Sequence, residues 1–382
     1  MERFIKTQDE FEQLIEDLKS SEILAIDTEF LREKNYYPKL CLIQINNGEI
    51  QALVDSITIH DLTSLADLLT DEKIMKIFHA GSQDVEVLYY ATGVSPWPVF
   101  DTQLAASLLG YPLQVGYGPL VQSVCGVKLA KADSYSDWSK RPLTKSQISY
   151  ALDDVVYLPS VYKKLRAQLE EKGRLHWLDE DFRYLTDVSR FETDPRKMWR
   201  KLKRITSLNR KQLAIARELA AWREEDARAR DLPRKRILSD EIIVEISRKA
   251  PRAKEQIMTI RGAENLNKRT INKALACVRT ALALPPDEYP QLATYPRGEV
   301  KLDGVVNLMA AIVELRAHQN DVATPALASK DELTRLAHGH HDDIDVLKGW
   351  RFEMVGKELL DLLDGKLSVR VDNDKIAVIH CE

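Results

Sequence analysis

The chain has 382 residues, of which 44% are apolar and 30% are charged, as in a globular protein of two or three domains. It contains no run of about 18 or more apolar residues, which excludes a membrane-spanning helix. Residues 1–6 lack the apolar stretch of a secretory signal, which favours the cytoplasm. The four cysteines, at positions 41, 125, 277 and 381, are too far apart for a zinc site or a disulfide framework.

Charge is distributed unevenly along the chain. Residues 196–279 hold 24 basic and 10 acidic residues, a local net charge of +14. The remainder, with 31 basic and 49 acidic residues, has a net charge of −18. A basic middle beside acidic flanks favours a surface that binds a polyanion, although a solvated helical face would give the same pattern.

Up to about residue 190, the pattern predicts a mixed α/β domain. Short, mostly apolar runs predict strands at residues 23–30, 40–45, 50–54 and 73–78. The residues Asn46-Asn47-Gly48 predict a hairpin turn between the second and third strands. Helical spacing of apolar residues predicts helices at residues 82–90, 102–109 and 144–171, the last one kinked or divided at Pro159.

After residue 190 the strand signals fade and helical spacing dominates. Helices are predicted at residues 208–230, 305–319, 331–336 and 349–363, and another is predicted to begin after Ser239 as its N-cap. Prolines mark a linker at residues 288–299. The chain is therefore predicted to contain an α/β domain followed by two helical modules.

Two acidic residues lie within the first predicted strand, in Asp27-Thr28-Glu29. Because strand side chains alternate, Asp27 and Glu29 point to the same face. Two carboxylates on a buried face repel each other and are costly to desolvate, unless cations such as Mg²⁺ lie between them. An edge strand that faces water would carry the same pair, so this motif alone leaves both interpretations open.

Two further motifs lie at or within predicted helices. His79-Ala80-Gly81-Ser82-Gln83-Asp84 spans a strand end and a helix start, where α/β domains commonly place sites. Asp84 would equally suit the helix dipole there, and His79 a structural role. Tyr150 and Asp154 are four residues apart in a helix and so share a face, although Tyr150 alone would also suit a core.

Together, Asp27, Glu29, Asp84 and Asp154 predict a two-metal site. In such a site, two divalent ions about 4 Å apart stabilise the attacking and leaving oxygens of a phosphoryl displacement. Tyr150 would orient the attacking water by a hydrogen bond.

These motifs resemble those of the DEDD family of exonucleases across residues 22–160. AIDTEF supplies Asp27 and Glu29, HAGSQDVEVL supplies Asp84, and Tyr-x-x-x-Asp supplies Tyr150 and Asp154, as in the tyrosine-containing subclass. All five positions are filled, in order. The resemblance implies a ribonuclease H-like α/β fold with a mixed central sheet. It also implies that the acids bind two Mg²⁺ or Mn²⁺ ions while the tyrosine positions the hydrolytic water.

The chain also resembles the ribonuclease D family. FLREKNYYPKLCLIQI and FDTQLAASLLGY are similar to stretches of that family, residues from about 207 to 287 resemble an HRDC domain, and residues from about 300 to 371 resemble a more divergent copy. The resemblance implies an exonuclease domain at residues 1–190, two all-α HRDC domains at 207–287 and 300–372, and a linker at 288–299. It further implies a 3′→5′ exoribonuclease that trims transfer RNA precursors and other small structured RNAs, and releases nucleoside 5′-monophosphates.

Several residues near the motifs are predicted to contact the terminal nucleotide: Thr28, Phe30, Gln44, His79 and Gln83. Phe30 would stack on a base unless it belongs to the core. Asp101 precedes a helix and is predicted to be its N-cap rather than a fifth metal ligand.

In the helical modules, five basic residues are predicted to hold structured RNA away from the site: Arg228, Arg230, Arg234, Lys235 and Arg236. Removal of the chain after residue 207 is therefore expected to leave cleavage of short oligomers intact. Trp199 is predicted to anchor the linker. The cluster around His338, His340 and His341 is predicted to be a solvated loop rather than a zinc site.

Two alternative functions remain open. A DNA exonuclease is possible because the metal chemistry requires no 2′-hydroxyl, and a comparison of single-stranded RNA and DNA substrates would separate the two. A non-catalytic nucleic-acid-binding protein would lack one of the acids or the tyrosine, and none is missing.

Overall fold

The computed structural model describes residues 2–129, 136–292, 302–373 and 375–381. The chain divides into two compact units. The first comprises Met1–Glu29, Leu40–Asp187 and Glu299–Glu382, and the second comprises Phe30–Lys39 and Val188–Gly298. Within the described part of the chain, no helix is both long and apolar enough to cross a membrane.

A six-stranded mixed sheet forms the centre of the first unit, in the order β1-β4-β3-β2-β5-β6. The strands are β1 Glu2–Ile5, β2 Ile23–Leu31, β3 Lys39–Asn46, β4 Gln51–Val54, β5 Met75–Phe78 and β6 Val99–Asp101. The β1/β4, β2/β5 and β5/β6 pairs are parallel, and the β3/β4 pair is antiparallel. Leu24, Ala25 and Ile26 of β2 are fully buried although they alternate between faces, so this strand is covered on both sides.

Helices of the first unit precede, separate and follow the strands. In chain order they are α1 Gln8–Leu18, α2 Thr63–Thr70, α3 Ser82–Thr92, α4 Thr102–Ser107, α5 Tyr117–Cys125, α6 Lys145–Val156, α7 Leu158–Glu171 and α8 Asp179–Thr186. The predicted helix at 144–171 is in fact two helices, which are separated by Tyr157. Helix α7 begins at Leu158, so that Pro159 lies in its first turn. Proline is tolerated at this position because the backbone N–H groups of the first helical turn have no acceptor within the helix, so the N–H that proline lacks is not needed.

The second unit is helical and contains α9 Arg210–Ala229, α10 Arg234–Ile237, α11 Asp240–Lys249, α12 Lys254–Met258 and α13 Lys268–Leu282. Ser239 accepts a hydrogen bond from the backbone N–H of Ile242, which confirms it as the N-cap of α11. Trp199, in a 3₁₀ helix at Pro195–Lys201, is 3% exposed within the apolar core of this unit, as expected of an anchor.

The C-terminal helices belong to the first unit. They are α14 Asp303–Gln319, α15 Thr324–Leu327, α16 Lys330–Ala337, α17 Gly349–Arg351 and α18 Lys357–Leu363, with a π-helical turn at Phe352–Gly356. An antiparallel hairpin, β7 Leu367–Asp372 and β8 Lys375–His380, follows them and was not predicted. Most of the linker predicted at residues 288–299 lies outside the described residues.

Candidate active site

Strand β2 ends in a cluster of carboxylates. Asp27 and Glu29 follow its buried apolar run and share a face by alternation. One carboxylate oxygen of each lies within 4.8 Å of the other and of an oxygen of Asp154. Asp154, from a distant part of the sequence, therefore meets Asp27 and Glu29 closely enough for the three acids to share a cation.

Helix α6 supplies Asp154 together with Tyr150. Its start is stabilised by a capping box, in which the Thr144 side chain accepts from the Gln147 backbone and the Gln147 side chain accepts from the Thr144 backbone. The Tyr150 hydroxyl is hydrogen-bonded to the Asp154 carboxylate one turn later. The centre of the Trp138 ring lies 6.0 Å from that of the Tyr150 ring, at an interplanar angle of 35°.

Asp84 lies in the first turn of α3 and is held by Thr28. The Thr28 hydroxyl and backbone N–H both donate to Asp84 Oδ1, at 2.6 and 3.1 Å. Asp84 is outside the group of three acids that lie within 4.8 Å of one another, yet its charge acts on Asp27 and Glu29. Thr28 is 5% exposed, so its hydroxyl positions Asp84 in this structure.

Burial raises the pKa values of all four carboxyls, and repulsion by neighbouring acids adds to this effect. Burial, followed by the charges of the other three acids, raises the pKa of Asp27 well above its usual range. Burial with the charges of Asp154 and Asp84 raises the pKa of Glu29 to about 8. Burial raises the pKa of Asp154 to about 7, against the hydrogen bond from Tyr150, and that of Asp84 to about 6. Divalent cations bound by oxygen ligands would neutralise this charge, so the donor set fits them.

The residues predicted to contact a nucleotide lie in different environments. Gln83 is exposed, whereas Gln44 is fully buried and both atoms of its amide lack a hydrogen-bond partner. His79 is engaged at both ring nitrogens, with Thr102 Oγ1 at 2.9 Å and the Val115 carbonyl at 3.1 Å, which favours a structural role. Phe30 is half-buried, with the guanidinium of Arg32 5.7 Å from its ring centre.

Tyr117 was missed by the sequence reasoning. It begins α5, its ring lies 5.4 Å from that of His79, and its hydroxyl is buried without a hydrogen-bond partner. Burial raises its pKa, and so do the charges of Asp154 and Asp27, which places the phenol near the acids. A lone tyrosine in the segment VGYGPL carries no signal that would have identified it.

Asp101 is the predicted N-cap. Its Oδ1 accepts from the backbone N–H groups of Gln103 and Leu104 at the start of α4, and Oδ2 accepts from that of Gly81 at 2.7 Å. Asp101 therefore also fixes the turn that leads into α3. Among the described residues, Asp27, Glu29 and Asp154 form the one group of three potential ligands whose donor atoms all lie within 4.8 Å of one another.

Three of the five basic residues predicted to hold RNA are engaged inside the second unit. Arg234 forms a two-pronged ion pair with the buried Glu224, Arg228 donates to the Tyr36 hydroxyl at 2.9 Å, and Arg230 pairs with Asp226 at 3.1 Å. The sequence shows that these arginines are charged, but it does not show which side chains they bind.

Comparison with known proteins extends this picture. A family model described as 3′-5′ exonuclease matches residues 3–170, and one described as HRDC domain matches residues 212–276. Ribonuclease D of Zymomonas mobilis is 38% identical over 377 residues, which cover 96% of this chain and 95% of that protein. Ribonuclease D of Sphingobium indicum is 37% identical over 371 residues, which cover 96% and 95%.

Solved structures agree. The crystal structure of RNase D from Escherichia coli, an exoribonuclease involved in structured RNA processing, matches with a TM-score of 0.83 at 30% identity and covers 95% of this chain and 98% of that chain. The catalytic core of RRP6 from Trypanosoma brucei matches with a TM-score of 0.58 at 26% identity, covering 74% and 81%. The chain therefore belongs to the ribonuclease D family of 3′→5′ exoribonucleases, with an exonuclease domain built on a mixed sheet and an HRDC domain.

Proposed function

We propose that this chain removes nucleotides one at a time from RNA 3′ ends by hydrolysis and releases nucleoside 5′-monophosphates. Transfer RNA precursors and other small structured RNAs are the proposed substrates, and the cytoplasm is the proposed compartment. The observation that carries the proposal is the meeting of Asp27, Glu29 and Asp154 within 4.8 Å, with the Tyr150 hydroxyl on Asp154.

The family depends on divalent metal, and we propose two Mg²⁺ or Mn²⁺ ions bound by Asp27, Glu29, Asp84 and Asp154. When bound, such ions lower the pKa of a water ligand and stabilise charge on the departing 3′ oxygen. Thr28 supports this arrangement because its two hydrogen bonds to Asp84 Oδ1 fix the orientation of that carboxylate.

Tyr150 orients the attacking water in this proposal. Burial and the charge of Asp154 raise its pKa above the ordinary tyrosine value, so the phenol stays protonated at neutral pH. A protonated phenol is a hydrogen-bond partner and not a general base. The substrate contacts of Thr28, Phe30, Gln44, His79 and Gln83 stay predictions.

We also propose that residues 300–372 are a second HRDC domain, after one at 207–287, an exonuclease domain at 1–190 and a linker at 288–299. Local backbone supports the repeat. In each module a long helix ends in an aspartate of positive φ, Asp231 at 46° and Asp321 at 49°. A four-residue helix follows, and then a serine N-cap, Ser239 or Ser329, at the same spacing.

A groove in the second unit supports a role in holding RNA. Its volume is about 990 Å³ and its lining includes the basic residues Lys203, Arg204, Arg248, Lys249 and Arg261, against the acidic residues Glu241 and Glu245. The five basic side chains are exposed. Lysine and arginine bind phosphates with salt-sensitive, sequence-tolerant affinity, as RNA of varied sequence requires.

The test is digestion of one RNA oligomer labelled at its 5′ end or at its 3′ end. The proposal expects a ladder of shortening products from the 5′ label, immediate release of a labelled mononucleotide from the 3′ label, and no products with chelator. A DNA oligomer of the same sequence tests the DNA exonuclease alternative. Internal cleavage, or turnover that survives chelation, would contradict the proposal.

A further inference from the structure

Residues 30–39 follow Glu29 directly in the chain but pack in the second unit, with the helices of the HRDC domain. Strand β2 runs to Leu31, so the strand that carries Glu29 continues into this segment. Two separate sets of hydrogen bonds fasten the segment to the helices.

The first set is made by Asp231, just after α9. Its Oδ1 accepts from the backbone N–H groups of Tyr36 and Tyr37, both at 3.0 Å. Its Oδ2 accepts from the Asn35 side-chain amide at 2.6 Å. One carboxylate thus holds three consecutive residues of the segment, and hydrogen bonds of this charged kind are stronger than neutral ones.

The second set is centred on the Tyr36 side chain. Its hydroxyl donates to Glu224 and accepts from Arg228 Nε at 2.9 Å. Glu224 is fully buried and accepts from Arg234 Nη2 at 2.7 Å, and the Arg234 guanidinium lies 5.0 Å from the Tyr36 ring centre. A part-buried network that is centred on a buried carboxylate and hydrogen-bonded throughout resists displacement.

The backbone conformation at Asp231 does not explain why this residue carries a carboxylate. Its φ of 46° lies in the left-handed region that favours glycine at helix ends. The Leu232 N–H donates to the Ala227 carbonyl at 3.0 Å, and in the C-terminal module the Val322 N–H donates to the Ala317 carbonyl at the same distance. Asp321 therefore has the same backbone setting, but its side chain is 70% exposed and forms a surface ion pair with Lys172 at 3.5 Å. The backbone conformation that the two helix ends share therefore does not require the carboxylate of Asp231. That carboxylate instead binds residues 35–37.

We propose that Asp231, Tyr36 and Glu224 are positioning residues for the exonuclease reaction, which fix residues 30–39 and thereby the end of β2 that carries Glu29. The inference rests on the proposed function of the acid cluster. A misplacement of about 1 Å at a reacting centre costs on the order of 100-fold in rate. The HRDC domain therefore acts on turnover, in contrast to the expectation that its loss would leave cleavage of short oligomers intact.

The experiment uses three full-length variants: Asp231→Gly, Asp231→Asn and Asp321→Gly. Glycine relieves the left-handed backbone while it removes the carboxylate, and asparagine keeps one oxygen to accept from the Tyr36 and Tyr37 amides. Asp321→Gly is the matched control, with the same backbone change in the other module. We measure kcat and KM with a 5′-labelled RNA trinucleotide, the Mn²⁺ concentration for half-maximal rate, and the thermal unfolding midpoint.

Asp231→Gly is expected to lower kcat on the trinucleotide by about 10- to 100-fold and to raise the Mn²⁺ requirement, at a temperature well below its unfolding midpoint. Asp231→Asn should recover most of the rate, and Asp321→Gly should match wild type. Tyr36→Phe, which removes the hydroxyl and keeps the ring, should lower kcat in the same direction.

A kcat for Asp231→Gly within about twofold of that of Asp321→Gly would overturn the proposal, as would a loss confined to KM. Equal loss in Asp231→Gly and Asp231→Asn would also overturn it, since the retained oxygen would then have no effect. A wild-type chain that fails to shorten the trinucleotide would instead overturn the proposed function.

Discussion

The two helical modules share a local backbone and differ in what they do with it. Each contains a long helix, an aspartate of positive φ, a four-residue helix and a serine N-cap. Residues 207–287 carry 18 basic and 11 acidic residues, a net charge of +7. Residues 300–372 carry 9 basic and 13 acidic residues, a net charge of −4. The charge of the first module suits RNA, and that of the second does not.

The second module packs against other parts of its own unit. The Trp350 ring stacks on that of Trp177 at 4.6 Å between centres, and Arg351 pairs with Asp181 at 3.3 Å. The Ala323 N–H donates to the Ser107 carbonyl at 2.7 Å. This module is thus a packing partner of the residues around α4 and α8, whereas the first module holds residues 30–39. The same local backbone thus occurs in two modules that pack against different parts of the chain.

The largest expected effect is on kcat, from a substitution at Asp154, which lies outside both modules. This variant separates catalysis from RNA binding. Asp154→Asn should lower kcat by at least about 1000-fold, because it removes a negative charge from the metal-binding group. Transfer RNA affinity, measured in the presence of Ca²⁺, should change by less than about twofold. Retained turnover would show that the acids are not the site.

Disruption of the second module should affect stability and leave RNA affinity unchanged. Trp350→Ala removes the stack on Trp177 and should cost about 2 kcal/mol of unfolding free energy, measured by denaturant titration. Trp350→Phe keeps an aromatic ring and is the control. A marked loss of transfer RNA affinity in Trp350→Ala, at a temperature where it is folded, would break the division between the modules.

Charge reversal in the first module should weaken RNA binding with little effect on turnover. The double variant Lys249→Glu with Arg261→Glu should bind transfer RNA about tenfold more weakly and show a shallower salt dependence. The matched control is Lys330→Glu with Lys357→Glu, two exposed lysines of the second module. Equal effects of the two double variants would mean that net charge alone, and not the groove, determines binding.

The smallest effect is on the pH dependence of stability. The folded-state pKa values of Glu29 and Asp154, about 8 and about 7, lie above their ordinary values, so the stability that the protonated groups contribute is complete below about pH 4 and is lost as pH rises through 7 and 8. The unfolding midpoint in chelator should therefore fall between about pH 5 and about pH 9, and excess Mg²⁺ should reduce that fall. A flat profile in chelator would contradict the burial of these acids.

Sequence was sufficient for the central strands, for helices such as α3, α9 and α14, and for the three acids Asp27, Glu29 and Asp154, whereas α1, α5 and α13 were not predicted. Alternation in β2 and the four-residue spacing of Tyr150 and Asp154 are local rules, and the structure obeys them. The pairing of Thr28 with Asp84, the burial of Gln44 and the internal ion pairs of Arg228 and Arg234 depend on contacts between distant segments. The spacing of residues along the sequence does not predict contacts of this kind. The strand β7 was missed although Leu367, Val369 and Val371 alternate with polar residues, a pattern that favours a strand.

The central claim is that four carboxylates bind two divalent ions, and calorimetric titration of Mn²⁺ into the full-length chain tests it most directly. The account predicts two ions per chain near neutral pH, with proton release on binding because the ions displace protons from carboxyls of raised pKa. It also predicts weaker binding and loss of at least one ion in Glu29→Gln. A stoichiometry of zero in wild type, or binding unchanged in the variant, would contradict it.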